Sequence, residues 1–315
     1  MSYASLDTLV AAVRQGQPRA IGRLFSLVEN GSPSLRRAMV ALSASTGRAH
    51  IIGLTGSPGV GKSTATTALI TVLRQRGQRV GVLAVDPTSP FSGGALLGDR
   101  VRMQQHALDP EVFIRSMATR GHLGGLAVAA PQALRVFDAA GCDTVLVETV
   151  GVGQSEVEVA QTADTTLVLL APGMGDGIQA AKAGILEIGD VFVVNKADRD
   201  GAQSVVRELR TMIALEPRGP DDWRPPIITT VASRGEGIED VWMAIGRHRA
   251  QAESSGAWAE RRLDRARTEI EALALTLLRS EFTVGGSSGL TELARAVRDG
   301  ELDPYAAADH VIARL

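Results

Sequence analysis

The chain has almost none of the residues on which several functions depend. Its 315 residues contain one cysteine, Cys142, and 5 histidines scattered at positions 50, 106, 122, 248 and 310. One thiol rules out a disulfide framework and suits a reducing compartment, where Cys142 reads as a small apolar filler before a buried strand. Histidines without ligand spacing give no support to a metal-carrying role. Charge of one sign is missing as well: 33 Lys and Arg against 35 Asp and Glu leave a formal charge of −2. Nothing in that balance points to nucleic acid or to an anionic membrane. No apolar run approaches the length of a membrane span, and residues 1–13 lack the basic-then-apolar layout of a secretory signal. The expectation is a cytoplasmic protein. At 33.1 kDa, with 44% hydrophobic residues, it can bury one substantial core. There is no internal repeat and no low-complexity tract.

Glycine is plentiful, and its placement is informative. Gly56-Ser57-Pro58-Gly59-Val60-Gly61-Lys62-Ser63 follows an apolar strand candidate and precedes a helix former that begins at Thr64. This is the phosphate-loop pattern. Glycines let successive main-chain N–H groups turn inward on a phosphate, and the helix start behind them adds donors and a favourable dipole. Lys62 supplies a charge for the β- and γ-phosphates, and the Ser63 hydroxyl is suited to Mg²⁺. The chain is expected to bind a nucleoside triphosphate.

A second strand candidate ends in Asn195-Lys196-Ala197-Asp198. A carboxylate at Asp198 accepts from both N1–H and the exocyclic amine of guanine, and adenine offers neither donor in that arrangement. Asn195 either faces the purine O6/N7 edge or ties the loops together. The stem of Lys196 covers a ring face. Val231, Ala232 and Ser233 follow another strand candidate and form the expected third guanine-side loop. GTP and GDP are the expected ligands.

Between these motifs, Asp143–Glu148 is an apolar strand ending in a carboxylate, with Gly151 three residues on. Such strand-end acids orient Mg²⁺ or its water shell. Asp86, at the end of another strand, and Asp99, closing a Gly-rich stretch, complete the expected shell, since Mg²⁺ takes oxygen ligands and keeps waters. The candidate catalytic set is therefore Lys62, Asp86, Asp99 and Glu148. A water-orienting Gln is missing after Gly151, where Val152 stands; the nearest amide is Gln154, and Arg120 is the candidate charge stabiliser. Slow intrinsic hydrolysis follows, as in a switch read by a partner. Residues 86–99, 151–156 and 171–182, the last ending at Lys182, are candidate switch segments.

Strand candidates at 50–55, 79–85, 111–115, 143–148, 164–170, 190–194 and 226–230 alternate with helical stretches. Most are continuous apolar runs, as in strands buried on both faces of a parallel sheet. The fold expected is α/β: a P-loop NTPase with a mostly parallel sheet flanked by helices, plus helical N- and C-terminal extensions. The division is 1–48 helical, 49–252 nucleotide-binding and 253–315 helical. Leu263, Ala266, Ile270, Leu273 and Leu277 are spaced 3, 4, 3, 4, a short coiled-coil seam that serves either packing on the body or subunit pairing. The loop 218–226, with four prolines in or beside it, carries no assigned role.

Six ordered motifs (Gly56–Thr64, Asp86–Ser89, Gly93–Met103, Met117–Gly125, Val147–Glu156 and Asn195–Asp198) resemble the MeaB/ArgK family of GTPases. The resemblance implies a chaperone of an adenosylcobalamin-dependent acyl-CoA mutase, chiefly methylmalonyl-CoA mutase, whose GTP cycle gates cofactor loading and protects the enzyme. It also implies a homodimer joined through C-terminal helices, acids around magnesium at Asp86, Asp99 and Glu148, and a third switch at 171–182. The alternatives are a small-molecule kinase, a nickel- or zinc-insertion GTPase, for which thiol and imidazole ligands are lacking, and a partitioning ATPase, which Asp198 and Ser57 disfavour.

Overall fold

The computed structural model describes residues 3–87, 104–106, 108–119, 125–149, 155–173, 187–215, 217–219, 222–284 and 287–313. Seven strands form one sheet: β1 (His50–Thr55), β2 (Val80–Pro87), β3 (Val112–Thr119), β4 (Thr144–Thr149), β5 (Thr165–Leu170), β6 (Val191–Asn195) and β7 (Ile227–Thr230). Their order is β3-β2-β4-β1-β5-β6-β7, and every pair is parallel. The seven strand candidates each correspond to one of these. β1, β4, β5 and β6 are buried at every position, which explains why they read as unbroken apolar runs.

Helices cover both faces. Three lead in: α1 (Tyr3–Arg14), α2 (Pro18–Glu29) and α3 (Leu35–Leu42). Then come α4 (Lys62–Gln75), α5 (Gly125–Ala139), α6 (Ser155–Thr162), α7 (Ala202–Leu215) and α8 (Ile238–Ser255). The chain ends in α9 (Ala257–Val284), α10 (Ser287–Arg298) and α11 (Pro304–Ile312). Along a strand, side chains alternate between the faces. Ile51, Leu83, Val85, Val145 and Val147 meet α5 and the N-terminal helices, where Phe25 lies 4.7 Å from Phe137 between ring centroids. Ile52, Leu54, Val82 and Leu146 face α4 and α8, and Phe192 and Val194 face α7. The N-terminal helices thus share a core with the sheet. Cys142 is buried, and that burial pushes its thiol pKa up, as an apolar filler requires.

Two local expectations change. β3 runs four residues past the strand candidate ending at 115, its edge held by pairing with β2 through Pro87↔Thr119. Ser287–Gly289, read with Gly285 and Gly286 as a flexible break, begins α10 instead.

Candidate nucleotide site at the carboxyl ends of the strands

β1 delivers the chain into the loop 56–61, and α4 leaves it. Gly56, Gly59 and Gly61 have φ of 136°, 81° and 95°, values that side-chain-bearing residues resist. At Gly61 the space is also taken: a Cβ there would sit 2.4 Å from Asn195 Nδ2. The start of α4 carries no side-chain cap, and among the described residues the Ser63 and Thr64 N–H groups have no acceptor. Donors left open at a helix start suit an anion. Lys62 is buried and folds back over the loop, its Nζ 2.6 Å from the Gly56 carbonyl and 3.1 Å from that of Ser57. Pro58 and Val60 complete the turn, with Val60 buried under it.

Glu148, one residue before the end of β4, is 3% exposed. Ser63 Oγ donates to its Oε1 at 2.6 Å, and Thr66 Oγ1 lies 2.8 Å from its Oε2. A hydroxyl and a carboxylate oxygen converging beside the phosphate loop match the preference of Mg²⁺ for hard oxygen donors. No cluster of three acidic, histidine or cysteine side chains occurs among the described residues. Thr66 escaped the sequence reading, because a hydroxyl one turn into a helix has no motif of its own. Thr55 and Thr149 escaped it too. They directly follow Leu54 and Glu148, which the β1–β4 register pairs, and both hydroxyls are buried with no partner among the described residues.

On the expected guanine side Asn195 ties the loops together. Its Nδ2 donates to the Val60 carbonyl at 2.8 Å, and its Oδ1 accepts from Thr230 Oγ1 at 3.1 Å and the Ala232 N–H at 3.0 Å. One buried amide therefore joins the phosphate loop, the end of β6 and the 231–233 loop. Lys196 takes a left-handed backbone, φ 56°, and its Nζ reaches the Gly59 carbonyl at 2.6 Å. The Asp198 side chain remains 41% exposed, 3.6 Å from Arg234 Nη1. Arg234 also pairs with Glu236 at 2.7 Å. Sequence reasoning stopped at Ser233, one residue short of this arginine. Val231 and Ala232 are buried and Ser233 is exposed. The structure thus brings Lys62, Ser63 and Glu148 together, and holds Asn195, Lys196 and Ala232 against the same loop.

Asp86 stands one residue before the end of β2, where it pairs with Ala118. Its side chain lies outside the described residues, as do Asp99, Arg120, Val152, Gln154, Lys182 and most of the three candidate switch segments.

Comparison with known proteins accords with this geometry. Residues 21–286 match the family model for the methylmalonyl-CoA mutase-associated GTPase MeaB. A Pyrococcus abyssi protein named only for an expected GTPase activity is 46% identical over 310 residues, covering 98% of this chain and 96% of its own. The GTPase ArgK of Escherichia coli K12 is 37% identical over 252 residues, 78% of this chain and 76% of ArgK. A crystal structure of a LAO/AO transport system kinase superposes with a TM-score of 0.70 at 27% identity, covering 99% of this chain and 98% of that one. The phosphate loop, the Asn195 brace and these matches together make the chain a GTP-hydrolysing P-loop protein and a member of the MeaB family of GTPases.

Proposed function

We propose that this GTPase is a slow switch that serves as chaperone to an adenosylcobalamin-dependent acyl-CoA mutase, most specifically methylmalonyl-CoA mutase, gating cofactor loading and protecting the loaded enzyme. The family description, with its mutase association, supports the client. The observation that carries the switch is the Ser63–Glu148–Thr66 hydrogen-bond cluster, which fastens the end of β4 to the first turn of α4. The chain continues from β4 into 150–154, so any ligand that competes for the Ser63 hydroxyl pulls on the anchor of that segment.

In this reading the open N–H groups at the start of α4 bind the β- and γ-phosphates, and Lys62 leaves the two carbonyls it now touches to meet them. Ser63 and Glu148 would hold Mg²⁺, with Asp86 and Asp99 as further acids, and the cation would neutralise charge building on the phosphates. Asp198 reads the guanine edge, while Lys196 and the 231–233 loop flank the base. The helical segments 1–48 and 253–315 frame the nucleotide-binding region 49–252. The C-terminal helices join two copies, for which exposed Leu263, Ile270 and Leu277 on α9 are the support. Among the described residues no helix is long and apolar enough to cross a membrane, and the near-balanced charge favours neither membrane nor nucleic acid. A cytoplasmic site of action is part of the proposal.

Affinity purification of the native protein, with and without a non-hydrolysable GTP analogue, tests the client. Nucleotide-dependent recovery of an acyl-CoA mutase is expected; recovery of none at either nucleotide state removes the chaperone role. Phosphate transfer to a small-molecule acceptor rather than to water would return the kinase reading. Turnover above about 10 s⁻¹ for the isolated protein, the middle of the ordinary enzyme range, would contradict a slow switch.

A further inference from the structure

β7 forms one edge of the sheet. The Phe192 N–H donates to the Pro226 carbonyl at 2.9 Å, and the register pairs Phe192 with Ile227 and Val194 with Thr229. In a parallel ladder alternate residues direct their main-chain groups to the same side. Pro226, Ile228 and Thr230 therefore bond to β6, while Ile227 and Thr229 face outward. The Thr229 carbonyl is closed off by Gly237, where a Cβ would come within 2.3 Å of it. The Ile227 N–H and C=O and the Thr229 N–H have no partner among the described residues.

A groove of about 570 Å³ lies beside that open stretch, lined by Arg210 and Ile213 of α7, Arg218, Arg224 and Pro225 of the connection, and Ile227. No acid is among its described lining residues. Arg218 donates to the Trp223 carbonyl at 2.9 Å. Arg210 and Arg224 are exposed, and neither has a carboxylate partner among the described residues. In a chain whose charges nearly cancel, Arg210 and Arg224 with no acid among the described lining residues are a local departure. Natural sheets ordinarily protect an open edge with charge, proline or a covering element. Here the charge on the described lining residues is all of one sign and stands over an apolar floor.

We propose that the groove and the outer edge of β7 form a docking site for an acidic, extended segment of a partner protein. The segment adds as a further parallel or antiparallel strand, bonding to Ile227 and Thr229. Its alternate side chains divide between the apolar floor of Ile213 and Ile227 and the guanidinium groups of Arg210 and Arg224. A small anion would use the arginines but neither the floor nor the main-chain row. β6 and β7 end in Asn195 and Thr230, so an added strand lies in the sheet layer that carries the base-side brace.

The test is fluorescence anisotropy of the full chain with a fluorescein-labelled Glu-Val-Glu-Val-Glu-Val-Glu peptide. Saturable binding is expected, weakening as salt rises and falling at least about tenfold in the R210E/R224E double variant. The same peptide N-methylated on every amide, which leaves neither edge able to donate, should not bind, nor should its Lys-Val counterpart. A circular dichroism melt of the variant checks that both forms are folded, and R210A/R224A replaces it if the charge reversal unfolds the chain. Absent binding, binding indifferent to the arginines, or equal binding of the N-methylated peptide overturns the proposal. So does binding of inorganic pyrophosphate at these arginines without any peptide binding, which would make the groove a small-anion site.

Discussion

At the scale of single residues, the two ends of the nucleotide site respond to different substitutions. Lys62→Ala removes the buried ammonium that folds over the Gly56 and Ser57 carbonyls of the phosphate loop while leaving the helix start intact. GTP binding measured by calorimetry should vanish with the thermal melt preserved, and unchanged affinity would end the phosphate-loop assignment. Asp198→Asn replaces a double acceptor with a group that presents a donor to guanine N1–H or its amine. Preference for GTP over ATP in a competition assay should fall by at least about a hundredfold, because unmatched polar groups discriminate strongly. Retained preference would remove Asp198 from base recognition. Thr66→Val keeps shape and deletes one donor to buried Glu148, a loss of about 1–3 kcal/mol that urea denaturation should detect. The glycines and Lys62 were legible because main-chain approach to phosphate dictates their type and spacing. Thr66 and Arg234 were not, since each acts through a partner that only the fold brings near.

At the scale of elements, α9 is attached in an unusual way. Its charged face, rather than its apolar seam, meets the body. Arg262 and Arg265 lie 2.9 and 3.2 Å from Asp164, Arg261 lies 2.7 Å from Asp190, and Glu269 pairs with Arg135 at 2.5 Å. Asp164 and Asp190 stand just before β5 and β6, at the end of the sheet opposite the phosphate loop. Burial alone would raise both acids, yet hydrogen bonds and charge from Arg262 and Arg265 hold Asp164 below its ordinary value, as His248 and Arg261 do for Asp190. Between them, Thr165 Oγ1 sits 2.9 Å from His50 Nε2 and 2.9 Å from His248 Nδ1. One hydroxyl proton serves one ring, so the other imidazole must donate to that oxygen. Burial depresses His50 to about 4, with Asp164 opposing and Arg249, His248 and Arg262 assisting. A base whose folded pKa lies below its unfolded value contributes full stability above about pH 6.5. That contribution is lost as the pH falls from 6.5 through 4, a cost that approaches about 3 kcal/mol from this residue at the low end. The two depressed acids add to the loss at lower pH, because their stabilisation is present only above the unfolded carboxylate range. Urea midpoints should therefore drop across this window, and His50→Gln, which can keep a bond to Thr165, should flatten the drop. A profile unchanged by that substitution would assign the acid sensitivity elsewhere. Strands were readable as apolar runs, whereas this clamp joins residues about a hundred positions apart, and an ion pair of that span leaves no periodic trace.

For the molecule as a whole, the way α9 is tied down determines what its other face is free to do. An amphipathic helix ordinarily buries its apolar stripe on its own domain and leaves charge outside. Here the arginines are used inward, and Leu263, Ile270 and Leu277 remain 46%, 67% and 56% exposed at heptad spacing, with Ala266 and Leu273 half-buried between them. Leu275 and Leu278, and Leu290 of α10, are exposed as well. Apolar area on this scale is costly in water, roughly 25 cal/mol for each Å² that a partner would cover. Under the proposed pairing a second copy would present the same seam, and a two-fold axis across α9 would cover both stripes at once. Ile270→Glu places a charge at the centre of that seam without touching the arginine clamp on the opposite face. Sedimentation equilibrium should show a dimer for the native chain and a folded monomer for the variant, with GTP affinity retained because the nucleotide loops lie at the other end of the sheet. A native monomer at micromolar concentration, or a variant that still dimerises, would mean the stripe belongs to a different partner, and the mutase surface would then be sought there first.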